Sequence, residues 1–187
     1  MRIIGGEFRG RTLAAVPKSG VRPTADPVRE ALFNILGQQL DGRCFVDLAA
    51  GTGAVGLEAY SRGARPVALV EKDRGAIQTI RRNIERLEGG GAPLQGLILV
   101  HSDVAKWLRS EAFSQLPRVD LVFVDPPYGF PTLGSWLEAL GNTGCLTDES
   151  LVVVEHRSGD PPQPPPGFQT AWTRRYGDSG LTALGLA

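Results

Sequence analysis

The chain has 187 residues, enough for one domain with a substantial core and too few for a large separate recognition module. Its 20 basic and 20 acidic side chains balance, so overall field is excluded as a source of nucleic-acid affinity and only local patches can supply it. Two cysteines and two histidines give neither a disulfide framework nor metal-ligand spacing, and no apolar run reaches the length of a membrane span. Cys44 sits in an apolar strand pattern and Cys145 beside a glycine turn, which reads as two inert thiols. No apolar stretch of signal-peptide type follows the Arg-rich start, so a cytoplasmic chain is expected.

The first 22 residues are locally basic: Arg2, Arg9, Arg11, Lys18 and Arg22 face Glu7 alone. Two β-prone pieces, Arg2-Ile3-Ile4 and Thr12-Leu13-Ala14, flank turns at Gly5-Gly6 and Gly10 and predict a small hairpin. Thr24 or Asp26 can cap a helix that has Pro27 near its first turn. Its apolar stripe is Val28, Ala31, Leu32, Ile35 and Leu36, and Gly37 ends it. From Cys44 on, apolar runs at 44–48, 66–71, 97–101, 119–124 and 150–155 alternate with helical patterns at about 54–62, 74–87, 103–109 and 132–141. This alternation predicts a parallel sheet covered on both faces. After the proline-rich stretch 161–167, segments 168–176 and 180–186 flank Gly177-Asp178-Ser179-Gly180 and predict an antiparallel hairpin at the end of the sheet. The chain thus divides into an N-terminal extension, 1–40, and a main domain, 41–187.

Gly51, Gly53 and Gly56 follow the first strand as G-x-G-x-x-G and open a helix, while Glu71 ends the next strand. A dinucleotide site has that pattern. Asp47 argues against it, because a carboxylate beside the turn repels a pyrophosphate and suits a ligand carrying an ammonium and a sulfonium. Glu71 can then hold two ribose hydroxyls and Asp103 an adenine amine. Each acid also has a plain structural role open to it: Asp47 in stabilising the turn, Glu71 as a solvated strand end, Asp103 as a helix N-cap.

Asp125-Pro126-Pro127-Tyr128 ends the apolar run 119–124. Proline has no N–H, so the carbonyls of Asp125 and Pro126 lack ladder partners and are available to a ligand. A carboxylate and a carbonyl suit a planar amine, on whose ring Tyr128 can stack. A simple strand-ending turn is the plainer alternative.

Asp47 to Gly56 resembles the glycine-rich motif of Rossmann-like methyltransferases, and Asp125 to Tyr128 resembles the D/N-P-P-Y/F motif of enzymes that methylate amino nitrogens. Met1 to Gly6, Gly10-Arg11 and above all Arg22 to Leu36 resemble the N-terminal signature of bacterial RsmD-type 16S ribosomal RNA guanine-N2 methyltransferases. Gly56 to Ala59, Ser61 to Ala64, Val70-Glu71, Asn83 and Tyr176-Gly177 fit the same family. Two departures stand out: Ala49-Ala50-Gly51-Thr52 where the family usually has Phe-Ala-Gly-Ser, and Pro27 where it mostly has a basic or polar residue.

The resemblance implies a class I S-adenosylmethionine-dependent methyltransferase fold, with a mostly parallel seven-stranded sheet, a C-terminal antiparallel hairpin and a small N-terminal hairpin and helix extension. It implies S-adenosyl-L-methionine held by Asp47, Ala49, Gly51, Gly53, Glu71, Lys72, Asp103, Val104 and Asp125. Asp125, Pro126, Pro127 and Tyr128 would form the catalytic pocket, and Arg2, Arg9, Arg11, Arg22 and Arg29 would contact RNA. The implied substrate is one guanine in a hairpin loop of 16S rRNA, within the small subunit or an assembly intermediate. A monomer that uses no metal is expected. An adenine-N6 or protein-glutamine methyltransferase shares Asp125 to Tyr128, and a non-catalytic RNA-binding assembly factor could keep the fold. A cytosine-C5 enzyme would need a pocket cysteine, and neither cysteine follows Pro126-Pro127.

Overall fold

The computed structural model describes residues 1–15, 26–126 and 131–187. Expectations that fall on Lys18, Arg22, Thr24, Pro127 and Tyr128 lie outside them. The chain forms α1 (Asp26–Leu36), β1 (Phe45–Leu48), α2 (Ala54–Ser61), β2 (Val67–Glu71), α3 (Arg74–Glu88), β3 (Leu97–His101), α4 (Val104–Leu108), α5 (Glu111–Ser114), β4 (Leu121–Val124), α6 (Leu133–Gly141), β5 (Leu151–Arg157), β6 (Phe168–Tyr176) and β7 (Ser179–Leu186). The seven strands make one sheet in the order β3-β2-β1-β4-β5-β7-β6. The first five are parallel, and β7 pairs antiparallel with both β5 and β6.

The apolar strand runs are buried on both sides. Phe45, Leu121 and Phe123 face a layer built from Leu32 and Phe33 of α1, Leu57 of α2 and Ile80 of α3. Val46, Val122 and Val124 face Trp107 of α4 and Leu137 and Leu140 of α6. α2 is buried along its whole length, because the sheet covers one side and the N-terminal arm the other. Ile3 and Leu13 of the arm share the cluster of Leu57, so the 1–40 extension and the main domain pack around one core.

The expected hairpin of the arm is narrower than its sequence suggests. It is a single antiparallel bridge, Arg2 to Thr12, with flanking bonds from Ile3 N–H to the Arg11 carbonyl and from Leu13 N–H to the Met1 carbonyl. α5 is a single turn that the apolar pattern does not disclose; Ser110 caps it by accepting from Phe113 N–H. β5 continues to Arg157, past the expected end, because β7 pairs with it as far as Ser179. Among the described residues no helix is long and apolar enough to cross a membrane.

Candidate functional site

The parallel strands end in acids. Read across the sheet from its β3 edge, Asp103 follows β3, Glu71 ends β2, Asp47 lies in β1, Asp125 follows β4 and Glu155 lies in β5. These positions share the carboxyl edge of the sheet, where open α/β folds bind ligands. Glu155 was absent from the expected site, although the same strand-end pattern marks it in the sequence.

The glycine loop after β1 is bent by three residues with positive φ: Ala49 at 60°, Gly51 at 56° and Gly53 at 75°. Glycine adopts this region freely, whereas Ala49 holds it under strain of roughly 1–3 kcal/mol, and such strain gathers at ligand sites. Gly56 has another role. A Cβ there would overlap Leu69 of β2 and press on Asp47, so only glycine lets α2 lie this close to the sheet.

The acids pair with the loop itself. Asp47 Oδ2 accepts the Gly56 N–H at 2.8 Å, and Asp47 is 2% exposed. Burial pushes its carboxyl up to about 7; the Gly56 N–H opposes the shift and the charge of Glu71 adds to it. Asp47 is therefore enclosed beneath the turn, which narrows its expected part as a direct ammonium partner. Glu71 Oε2 accepts the Gly51 N–H at 2.8 Å, and Oε1 accepts Lys72 N–H and Asp73 N–H, each at 2.8 Å. Three of about four acceptor positions are thus used, and the ring of N–H donors fixes the carboxylate. Asp103 caps α4 by accepting Lys106 N–H at 3.2 Å, while Val104 beside it is buried against Trp107. Asp125 is half-buried and Pro126 buried directly after β4.

Arg29 requires a correction. Expected on an RNA-facing surface, it is fully buried, with Nη2 donating to the Arg2 carbonyl at 2.6 Å and to Asp26 Oδ1 at 3.0 Å. Its Nε lies 3.6 Å from Glu58 Oε2. Glu58, also fully buried, accepts Ile4 N–H at 2.8 Å and Gly5 N–H at 2.7 Å and pairs with Arg62 at 2.8 Å. Arg29 therefore fastens the arm from inside. Glu58, with Arg62 on its other oxygen, was missed because nothing local to α1 announces an acid 29 positions further along the chain. Gly6, at φ 75°, passes so near α2 that a Cβ would overlap the Ser61 carbonyl oxygen. Arg2, Arg9 and Arg11 are exposed on this fastened arm.

Asn83 joins the arm to the glycine loop. Fully buried, it accepts Ala14 N–H at 2.6 Å and donates to the Thr52 carbonyl at 2.9 Å. Both cysteines are free, and burial, with Asp120 and Cys145 adding, pushes the Cys44 thiol up to about 12, which leaves it inert as a nucleophile. Among the described residues no group of three or more His, Cys, Asp and Glu is placed to hold a metal ion.

Residues 1–185 match the family model described as Conserved hypothetical protein 95. The chain is 40% identical over 156 residues to ribosomal RNA small subunit methyltransferase D of Escherichia coli, covering 83% of this chain and 74% of that one. The chain belongs to the RsmD family. The RsmD relative of Haemophilus influenzae, also called ribosomal RNA small subunit methyltransferase D, is 31% identical, with 86% and 81% covered. Among solved structures, a hypothetical protein of Thermus thermophilus superposes with a TM-score of 0.79 at 33% identity, covering all of this chain and 99% of that one. A precorrin-6y C5,15-methyltransferase of Geobacter metallireducens matches with a TM-score of 0.66 at 16% identity, covering 99% and 98%. RsmD membership and this likeness of fold make the sheet a Rossmann-like class I methyltransferase sheet.

Proposed function

We propose that the chain transfers a methyl group from S-adenosylmethionine to the exocyclic N2 amine of one guanine in 16S rRNA of the small ribosomal subunit. The observation that carries the choice of cofactor is the Glu71–Gly51 and Asp47–Gly56 pairing. A pyrophosphate would need the loop N–H groups and the start of α2 as anion donors. Here two carboxylates of the protein already accept from those donors, so the site favours a cationic ligand over a dinucleotide.

S-adenosylmethionine, when bound, supplies a methyl carbon on a cationic sulfur. Glu71, with its remaining acceptor capacity, and the other oxygen of Asp103 suit ribose hydroxyls and an adenine amine. Ala49, Gly51, Gly53 and Lys72 give the backbone surface between them, and Val104 the apolar wall. Asp125 and the Pro126 carbonyl accept the two hydrogens of the target amine. The guanine amine is a poor nucleophile because its lone pair is conjugated with the ring. Hydrogen bonds that pull its hydrogens out of plane favour a pyramidal nitrogen, and the Asp125 charge stabilises the positive charge that grows there. Alignment of nucleophile and methyl carbon is the larger contribution, up to roughly 7–11 kcal/mol in well-oriented systems. Pro127 and Tyr128 complete the motif, with Tyr128 stacking on the splayed base.

The names of the Escherichia coli and Haemophilus influenzae relatives support small-subunit rRNA as substrate. Arg2, Arg9 and Arg11, with Arg22, are the phosphate contacts of this reading. The test is labelled-methyl transfer onto small subunits from a strain lacking the protein, followed by mapping of the modified nucleotide. Label on guanine N2 of 16S rRNA is expected; label on an adenine, or none, overturns the reading.

A further inference from the structure

Asp125 and Glu155 are neighbours in the sheet. Val124 pairs with Val154 in the parallel register, so the two acids come one residue later on adjacent strands, which lie about 4.8 Å apart. Residues two apart along a strand share a face, so Glu155 lies on the side of Val153, in the layer of α1 and α2, and Asp125 follows directly where β4 ends. Glu155 is 5% exposed, a rare setting for a carboxylate, and its Oε1 accepts Ser179 Oγ at 3.0 Å from β7. That bond fixes the carboxylate on the strand next to the one that Asp125 and Pro126 follow.

We infer that Glu155 accepts the ring N1–H of the target base while Asp125 and the Pro126 carbonyl hold its amine, so that the adjacent acids select guanine. The inference rests on the amine-methylating reading of this site and deepens it. Adenine, cytosine and guanine all carry an exocyclic amine, but adenine and cytosine place a lone-pair nitrogen beside it. Guanine alone places an N–H donor there. Two acceptors side by side match two donors side by side, and a flipped-out base is read on this edge. Against adenine or cytosine, Glu155 would face a ring lone pair, and two acceptors forced together penalise the wrong base far more than a missing contact does.

The test uses small subunits reconstituted around 16S RNA in which the target guanosine is replaced, by ligation of a synthetic fragment, with 2,6-diaminopurine riboside or N1-methylguanosine. Both keep the 2-amine and lack the N1–H. Wild-type kcat/KM should be roughly 100-fold or more lower on either than on guanosine. Glu155→Gln, whose amide can donate to a ring nitrogen, should narrow the preference over diaminopurine by about tenfold or more, whereas Glu155→Asp keeps it at a lower rate. Comparable wild-type rates on guanosine and diaminopurine overturn the inference, and so does a folded Glu155→Gln protein with undiminished preference. If Glu155→Gln does not fold, the wild-type ratios on the two analogues decide alone. Failure of the wild-type protein to methylate guanosine at all would instead sink the proposed function.

Discussion

Glu71 Oε2 accepts the backbone N–H of Gly51 at 2.8 Å, across 20 residues of sequence. The end of one strand thereby fixes the turn that leaves its neighbour. With Lys72 and Asp73 bound to the other oxygen, one side chain sets the shape of the loop on which the cofactor reading depends.

Glu71→Ala removes the acceptor of all three N–H groups. Each donor left without a partner in a buried setting costs about 1–3 kcal/mol, partly relieved where water enters. Calorimetric titration with S-adenosylmethionine should show affinity falling by tenfold or more, with the rest of the fold intact by circular dichroism. Unchanged affinity would show that the loop keeps its shape without this tie.

The Asp47 carboxyl lies near 7 when folded, against about 3.9 in an unfolded chain. Between those values the folded state binds the extra proton, so stability is greatest below about pH 4 and falls as pH rises towards 7. Asp47→Asn retains an acceptor for Gly56 N–H and has nothing to titrate. Urea unfolding at pH 5 and pH 8 should show wild type losing on the order of 1–3 kcal/mol more than this variant. Equal losses would remove Asp47 as the source.

Glu58→Gln leaves two buried guanidiniums, Arg29 and Arg62, without their shared anion. Breaking such a buried group from one side costs about 3–5 kcal/mol. Denaturant midpoints should fall accordingly, and limited proteolysis should cut first within the released arm. A variant as stable as wild type would mean that the arm is held mainly by Ile3 and Leu13.

Asp125→Ala should lower methyl transfer by roughly 100-fold or more while the affinity for S-adenosylmethionine stays within a few-fold. Equal loss of both would reassign Asp125 to cofactor binding. Single-turnover transfer and equilibrium titration separate these cases.

Neutralising Arg9 and Arg11 together should weaken subunit binding and flatten its dependence on salt by about one to two units of log–log slope. Both side chains are exposed, so stability should hardly change. An unchanged slope would place the phosphate contacts elsewhere.

The architecture was largely legible from the alternation of apolar runs, and β3 and β6 carry the expected limits, 97–101 and 168–176. Short-range chemistry was also readable: Asp103, weighed as an N-cap or an amine acceptor, does cap its helix. Long-range chemistry was not. A basic residue on a helix gives no sign of whether an acid 29 positions later will bury it, and Arg29 was misplaced for that reason. Glu155 was passed over because it ends an apolar run as the other acids do, but nothing local shows that its carboxylate is buried. Its neighbour Asp125 becomes visible only once the register of β4 against β5 is known.

The backbone N–H of Gly51 and that of Gly56 are both answered by side chains of the protein. Inorganic anions such as phosphate and sulfate, common in buffers and precipitants, should therefore find no seat on this turn and should compete poorly with the ligand. The same turn without its two carboxylates would be a serviceable phosphate cradle. On the proposed reading, these two side chains separate a loop suited to a methyl donor from one suited to a nucleotide, and a design that exchanged them would have to hold the turn in shape by other bonds.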